Sequence, residues 1–264
     1  MKKFEGIYLF SDIDGTLSSE KNNIPEKNLN AINYFIENGG TFSVATGRYF
    51  GDLDVLANIP INGLCILNNG ASVYDYQNDK ELFSLKMTDK TADIIIDYCQ
   101  KSDDLGLVVI NKNGYTTAII DEKNRPIFHD RYPVDKIENL KKPYHKLLIV
   151  VNNQNAKRVL LDLEKMNLTD ASFVRTGEFS IEVLANNVSK GNAFLKICEM
   201  KNIENNKTFF VGDSFNDTEL MRVAGFSGCV CESDPEVQKC ADTVMCSFSE
   251  GIVAKMVEHI ESIL

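Results

Sequence analysis

The chain has no apolar run that approaches the length of a membrane-spanning helix, which argues against a membrane protein. It is also short of positive charge, with 28 Lys and Arg residues against 38 Asp and Glu residues and a net charge of −10. Nucleic-acid binding that is independent of sequence needs a basic surface, so this class of function is disfavoured. Because the N-terminus lacks a long apolar stretch, we expect no signal peptide and a cytoplasmic protein.

Common metal-binding motifs of cysteine and histidine are missing as well. The seven cysteines contain no Cys-x-x-Cys pair, and the three histidines are scattered. A zinc site among four late cysteines is conceivable, but their spacing fits no common pattern, and we expect buried free thiols. These four are Cys229, Cys231, Cys240 and Cys246, of which the first two have the spacing of neighbours on one face of a strand.

The 264 residues have an ordinary globular composition and suffice for one large domain or two smaller ones. Near the N-terminus, short apolar runs alternate with helical patterns that begin after Pro25 and after Arg48. The runs predict strands at residues 7–10, 41–45 and 64–67. This order is typical of a doubly wound parallel sheet with right-handed crossovers, so the predicted fold class is α/β.

The pattern then changes to helices mixed with β-hairpins, and strand–helix alternation returns only near the C-terminal third. We therefore predict a discontinuous α/β core, residues 1–81 and 187–264, interrupted by an α+β insert at residues 82–186. The insert begins soon after the loop that follows the third strand. We expect it to lie above the edge of the sheet at which the parallel strands end, where α/β proteins bind ligands.

Two carboxylates, Asp12 and Asp14, directly follow the first predicted strand and precede Gly15 and Thr16. Because strand side chains have a period of two, both carboxylates should leave the strand end on the same side. They would repel each other unless a cation or a proton lies between them. A polar turn without function is the alternative interpretation of these ten residues taken alone.

Four polar motifs fall at strand ends or helix starts of the one predicted sheet: Asp-Ile-Asp-Gly-Thr at 12–16, Ala-Thr-Gly-Arg at 45–48, Ser-Lys-Gly at 189–191 and Gly-Asp-Ser-Phe-Asn-Asp at 212–217. In this order, with the insert in the matching place, they resemble the haloacid dehalogenase-like (HAD) phosphohydrolases over nearly the whole chain. The insert resembles a class IIB cap domain, and the subgroup that the chain resembles is the Cof-type phosphatases.

The resemblance implies a Mg²⁺-dependent phosphatase that hydrolyses small phosphorylated metabolites, in particular sugar phosphates, through an aspartyl-phosphate intermediate. Asp12 is the implied nucleophile, and the Asp14 side chain the implied general acid and then base. The implied Mg²⁺ ligands are a carboxylate oxygen of Asp12, the backbone carbonyl of Asp14 and the side chain of Asp213.

The same resemblance assigns the phosphate contacts. Thr46 and nearby backbone N–H groups, including that of Gly47, are implied to bind phosphoryl oxygens, and Asn216 to donate to the phosphate. Lys190 would supply the positive charge that offsets Asp12 and the phosphate. Asp217 would support the metal site or orient Lys190.

Plainer interpretations stay open for several of these residues. Thr46 could cap the following helix, and Lys190 could be a solvated lysine near a helix start. Arg48 could bind substrate or pair on the surface, and Asn69 with Gly70 could contact substrate or only form a turn. On the same scaffold, the chain could also be a phosphomutase or phosphotransferase, or a sensor that binds a phosphorylated ligand without turnover.

Overall fold

The structure is a computed structural model, and it describes residues 2–18, 23–57, 59–112, 114–119, 132–175 and 179–264. The described strands are β1 (Tyr8–Ser11), β2 (Thr41–Val44), β3 (Leu64–Leu67), β4 (Ser72–Asp75), β5 (Lys80–Ser84), β6 (Gly106–Asn111), β7 (Gly114–Ile119), β8 (Lys146–Val150), β9 (Ala171–Arg175), β10 (Ser180–Ala185), β11 (Thr208–Gly212), β12 (Phe226–Val230) and β13 (Thr243–Cys246). The described α-helices are α1 (Glu26–Glu37), α2 (Asp89–Gln100), α3 (Asn153–Lys165), α4 (Lys190–Lys201), α5 (Thr218–Val223), α6 (Pro235–Gln238) and α7 (Ile252–Ile263).

The chain divides into two compact units: residues 1–83 with 189–264, here called the core unit, and residues 84–188, the inserted unit. In the part of the chain that the structure describes, no helix is both long and apolar enough to cross a membrane. The sequence also predicts a polar loop from Ser18 to Asn23 and hairpin turns at residues 111–114 and 176–178. Most of this loop, Asn113 and residues 176–178 lie outside the described residues.

The core unit contains a five-stranded sheet of order β13-β12-β11-β1-β2, in which all neighbouring strands are parallel. β1 is an interior strand between β11 and β2, with Tyr8 paired to Thr41 on one side and to Thr208 on the other. Its apolar side chains alternate between the two faces, so Leu9 and Phe10 belong to different hydrophobic clusters. A strand that is buried on both faces explains the continuous apolar run in the sequence.

Helices cover both faces of this sheet. On the face of Leu9, α1 contributes Phe35 and α7 contributes Met256 to the packed cluster. On the other face, Phe194 of α4 packs edge-on against Phe10, with ring centroids 5.3 Å apart, and α5 adds Leu220. This is a doubly wound arrangement, as predicted from the alternation of strands and helices.

The third predicted strand joins the sheet less fully than expected. β3 pairs antiparallel with β4 in a three-stranded sheet of order β3-β4-β5, and its ladder contact with the parallel sheet is one parallel bridge, Ala45 to Ile66. The Asn62 side chain donates to Gly40 O (3.0 Å) and accepts from Phe42 N (2.7 Å). These bonds occupy backbone groups at the start of β2 that would otherwise extend the ladder.

The prediction of a helix after Arg48 is wrong. Two 3₁₀ turns take its place, Phe50–Asp52 and Asp54–Leu56. The Arg48 guanidinium binds the carbonyl of Asp52 at 3.1 Å, and this carbonyl is therefore engaged by a side chain rather than by a helical N–H.

The inserted unit is an antiparallel sheet of order β7-β6-β8-β10-β9 with helices α2 and α3, which agrees with the predicted α+β pattern. Leu107, Leu147 and Val183 share one sheet face and form a buried cluster with Ile95 of α2 and Val159 of α3. Both helices begin at side-chain caps, because Thr88 accepts from Thr91 N and Asn152 accepts from Asn155 N.

The cysteine prediction is correct only in part. Cys229 and Cys246 are buried free thiols, whereas Cys240 is partly exposed and Cys231 is exposed. β12 ends at Val230, so Cys231 belongs to the following turn and not to a strand face. Among the described residues, the cysteines form no cluster that could hold a metal ion.

Candidate active site

The buried strand β1 places Asp12 at the edge of the sheet where the parallel strands end. Its backbone N–H donates to Val211 O of β11 at 2.9 Å, and its carbonyl accepts from the Ser11 hydroxyl at 2.7 Å. The residue is only 6% exposed. Burial raises the pKa of the Asp12 carboxyl well above its ordinary value, and the nearby carboxylates of Asp217 and Asp213 add to this effect.

Lys190 lies in the first turn of α4, directly after its cap Ser189, whose hydroxyl accepts from Asn192 N at 3.1 Å. The Lys190 ammonium is fully buried and donates to Asp12 Oδ1 (2.7 Å) and Asp217 Oδ1 (2.6 Å). Burial alone would lower the pKa of Lys190, but the charges of the two aspartates raise it above its ordinary value. The alternative of a solvated lysine is therefore excluded.

Asp217 fixes this ammonium from the far side. Its Oδ2 accepts from the backbone N–H groups of Asp213 and Ser214, each at 3.0 Å, while its Oδ1 faces Lys190. Both carboxylate oxygens of this buried residue are thus engaged by donors. Asp217 therefore contacts both Lys190 and the loop that carries Asp213, and these contacts are compatible with either role considered from the sequence.

Carboxylate oxygens of Asp12, Asp213 and Asp217 lie within 4.8 Å of one another. Burial and the charge of Asp217 raise the pKa of Asp213 to about 6, although Thr16 Oγ1 donates to its Oδ1 at 2.8 Å. Gly15 allows this approach, because it has a φ of +82° and a Cβ there would lie 2.6 Å from Asp213 Oδ2.

This donor set suits a hard divalent cation. The site contains three carboxylates and the ammonium group of Lys190, so its net charge is negative. Because donors already occupy both oxygens of Asp217, Asp12 and Asp213 are the residues with side-chain oxygens to offer. Oxygen ligands and net negative charge are what Mg²⁺ requires.

The Asp14 side chain lies outside this acidic cluster and is 54% exposed. Its two oxygens accept from Arg48, from Nε at 2.9 Å and from the second guanidinium nitrogen at 2.5 Å. Arg48 is itself held by Asp52 O. The sequence left the role of Arg48 open, and the structure shows that it binds the carboxylate implied to be the general acid. The sequence offered one signal for this contact, because Asp14 and Arg48 follow the neighbouring strands β1 and β2.

Thr46 and Gly47 follow β2 at the same edge of the sheet. The Thr46 side chain is buried, and its Oγ1 accepts from Arg48 N at 3.1 Å, which leaves the hydroxyl proton available to donate. The 3₁₀ turn that follows begins after Tyr49, so Thr46 is not its cap. A Cβ at Gly47 would lie 3.0 Å from Asn69 Oδ1, so this backbone approaches the Asn69 side chain closely.

Asn216 and Asn69 form a further contact at this edge, which the sequence did not predict. Asn216 Nδ2 donates to Asn69 Oδ1 at 2.9 Å, and Asn69 has a left-handed backbone with a φ of +57°. Asn216 Oδ1 is buried and has no hydrogen-bond partner among the described residues. The structure thus brings Asn216 together with the turn that contains Asn69.

The family model of haloacid dehalogenase-like hydrolases matches residues 9–257. The 5-amino-6-(5-phospho-D-ribitylamino)uracil phosphatase YbjI of Escherichia coli is 23% identical, over 82% of this chain and 82% of its own. The HMP-PP phosphatase of Yersinia pseudotuberculosis is 24% identical, over 81% of this chain and 80% of its own.

A solved structure, that of the HAD subclass IIB sugar phosphatase BT4131, matches with a TM-score of 0.83 at 21% identity and covers 98% of this chain and 100% of that chain. This likeness confirms the predicted fold class, an α/β core with an inserted α+β domain. The family match extends over nearly all of the sequence, including the four polar motifs. The chain therefore belongs to the haloacid dehalogenase-like hydrolases, which confirms the predicted resemblance to the Cof-type phosphatases of that family.

Proposed function

We propose that the chain is a Mg²⁺-dependent phosphatase that hydrolyses small phosphorylated metabolites, in particular sugar phosphates, through an aspartyl-phosphate intermediate. The coarser statement follows from its family and from relatives named as phosphatases: the chain is a phosphoric monoester hydrolase. The observation that carries the finer proposal is the buried carboxylate of Asp12, which lies 2.7 Å from the Lys190 ammonium and beside the Asp213 carboxylate. The proposal includes a cytoplasmic location. It also includes the predicted cap, residues 82–186, as the part of the chain that selects the leaving group.

Asp12 attacks phosphorus in the first step, and the bond between phosphorus and the leaving oxygen breaks. Asp14, protonated in this step and therefore released by Arg48 at one of its oxygens, gives its proton to that leaving oxygen, so an alcohol departs. Water then attacks the phosphorus of the aspartyl phosphate, Asp14 takes up a proton from it, and inorganic phosphate and free Asp12 result. Lys190 stays protonated throughout, because the charges of Asp12 and Asp217 raise its pKa.

Thr46 and Gly47 are the proposed donors to the phosphoryl oxygens, through the hydroxyl proton and the backbone N–H respectively. Asn216 would donate through the amide hydrogen of Nδ2 that Asn69 does not engage. Fixed donors of this kind stabilise charge on phosphoryl oxygens without reorganisation during the reaction.

Asp12 and Asp213 would hold Mg²⁺ through side-chain oxygens, and Asp14 through its backbone carbonyl. When bound, Mg²⁺ supplies the positive charge that lets a phosphate dianion approach the Asp12 carboxylate.

Removal of divalent metal is expected to abolish phosphate release, and added Mg²⁺ to restore it. Because binding to the folded state alone stabilises a protein, Mg²⁺ should also raise the thermal unfolding temperature of metal-free protein. Asp213→Asn, which keeps the shape and can still accept from Thr16, should largely remove this rise. Phosphate release and differential scanning fluorimetry measure the two effects. Full activity in excess EDTA, or an unchanged Mg²⁺-induced rise in Asp213→Asn, would contradict the assignment.

Replacement of Arg48 by methionine is expected to lower kcat/KM more for an alkyl phosphate than for para-nitrophenyl phosphate. The reason is that Arg48 holds Asp14 by both oxygens, and only a poor leaving group depends on proton donation from Asp14. A loss of about 10²-fold for glycerol phosphate is in the usual range for such an effect. Asp14→Asn serves as the matched variant and should show the same dependence on the leaving group. Equal losses on both substrates would show that Arg48 does not act through Asp14.

A screen of inorganic phosphate release over phosphorylated metabolites, with Mg²⁺ and without any acceptor, tests the whole proposal. The panel should include sugar phosphates and the compounds after which the two relatives are named. Release of phosphate from a sugar phosphate supports the phosphatase. Transfer to a second sugar without release would identify a phosphomutase or phosphotransferase, and binding without turnover would identify a sensor.

A further inference from the structure

The core unit contains a cavity of about 280 Å³ at the edge of the sheet opposite to Asp12. Tyr8, Thr41 and Leu64, which line it, are the first residues of β1, β2 and β3. Asp12 and Thr46 lie at the other ends of β1 and β2, which they follow in the sequence. The cavity is therefore separate from the candidate active site, and the proposal made for it does not depend on the proposed function.

The floor of this cavity is apolar. Phe10, Leu64 and Ile197 are buried side chains of one hydrophobic cluster, and Ile203 packs against the same cluster. Small-molecule sites are mostly apolar concavities with a few polar groups, and their volumes begin at roughly 300 Å³. This cavity lies slightly below that range, so it fits a small ligand with a short apolar group.

Polar groups without protein partners surround this floor. Within the described part of the chain, the hydroxyls of Tyr8 and Thr41, the side-chain amide of Gln77 and the ammonium of Lys201 are not engaged by another protein group; Tyr8 and Thr41 are partly buried, and Gln77 and Lys201 are exposed to solvent. All four belong to residues that line the cavity. A ligand with polar groups could therefore be bound without breaking a hydrogen bond within the protein.

The lining also carries one charge of each sign. Lys201 ends α4, and Asp75 ends β4. The Asp75 carboxylate is held by Asn78, whose backbone N–H and side-chain Nδ2 donate to it at 3.1 and 2.9 Å. The hydrogen bonds from Asn78, together with the charge of Lys201, lower the pKa of Asp75, so this carboxylate is ionised at neutral pH.

We propose that this cavity binds a small zwitterion with an apolar side chain, an amino-acid-like molecule whose carboxylate faces Lys201 and whose ammonium faces Asp75. The apolar side chain lies on Phe10, Leu64 and Ile197. A ligand with a single charge would leave the opposite charge of the lining without a partner, and this difference sets the specificity.

Three ligands with the same branched apolar chain separate the contributions: L-leucine, 4-methylpentanoate, which lacks the amine, and 3-methylbutylamine, which lacks the carboxylate. Isothermal titration of the full chain should show that leucine binds at least about tenfold more tightly than either analogue, because each analogue loses a charged hydrogen bond. No binding of leucine at millimolar concentration, or equal binding of all three, would overturn the proposal.

Variants locate the site. Lys201→Met should weaken the binding of leucine at least about tenfold without weakening that of 3-methylbutylamine, whereas Asp75→Asn should weaken the binding of leucine without weakening that of 4-methylpentanoate. Lys196→Met, on the same helix but outside the cavity lining, is the matched control and should bind leucine as the wild type does. Thermal unfolding checks that all three variants fold. Unchanged leucine binding by folded Lys201→Met would place the ligand elsewhere.

Discussion

Asp12→Asn is expected to lower the rate of phosphate release by at least about a thousandfold while the protein stays folded. The amide nitrogen cannot form the acyl phosphate, and the amide oxygen is a far weaker nucleophile than a carboxylate. The substitution preserves volume, and the amide oxygen can still accept from Lys190, which donates to Asp12 Oδ1 at 2.7 Å. Phosphate release from para-nitrophenyl phosphate measures the loss, and circular dichroism with thermal unfolding measures the fold.

A stability measurement sharpens this experiment. Asp12 is one of three crowded carboxylates, and burial raises its pKa well above the ordinary value, so its ionised form is disfavoured in the metal-free protein. Asp12→Asn should therefore unfold at a temperature no lower than that of the metal-free wild type. A variant that is inactive but strongly destabilised would leave its loss of activity attributable to unfolding. Turnover near the wild-type rate would show that Asp12 is not the nucleophile.

Lys190→Met is expected to destabilise the protein by about 3–5 kcal/mol as well as to inactivate it. Lys190 is fully buried and is the cation that neutralises Asp12 and Asp217, both of them buried carboxylates. Methionine preserves much of the length of the side chain and removes only the charge and its hydrogen bonds. Denaturant unfolding of metal-free protein gives the free-energy difference, and phosphate release gives the activity.

The double variant Lys190→Met with Asp217→Asn separates the two roles of the lysine. Removal of the Asp217 charge should recover part of the lost stability, because the cluster then holds less unpaired negative charge. Activity should not return, since neither substitution supplies a cation for the phosphate and Asp12. If the double variant regained activity together with stability, Lys190 would have only a structural role.

Much of the fold could be predicted because its signals are local. The apolar run at residues 7–10 predicts β1, observed at Tyr8–Ser11, and Ser189 predicts the start of α4. The errors occur where distant groups compete for backbone atoms. The helix expected after Arg48 gives way to 3₁₀ turns around an arginine–carbonyl bond, and the ladder expected for β3 is partly replaced by the Asn62 side chain. Periodicity carries no information about either contact.

The candidate site, like the fold, could be predicted from the sequence only in part. The sequence places Asp12, Asp213 and Asp217 after strand ends of one sheet, and the structure brings their carboxylates together. The sequence does not show that Arg48 binds both oxygens of Asp14 or that Asn69 accepts a hydrogen bond from Asn216. These contacts depend on the directions of long side chains and on a left-handed turn, which the pattern of residue types does not specify.

The interior position of β1 in its sheet has a consequence for the synthesis of this protein. Its partner β11 lies near the opposite end of the sequence, since Tyr8 pairs with Thr208, whereas the strands of the inserted sheet all lie within residues 84–188. During synthesis on the ribosome, the inserted unit can fold as soon as it emerges, but one edge of β1 stays unpaired until the last segments arrive. An unpaired edge is prone to pair with other chains, so we expect incomplete chains to aggregate. Asp12 and Lys190 come into contact only late in this process, so the active site forms only when the fold is complete.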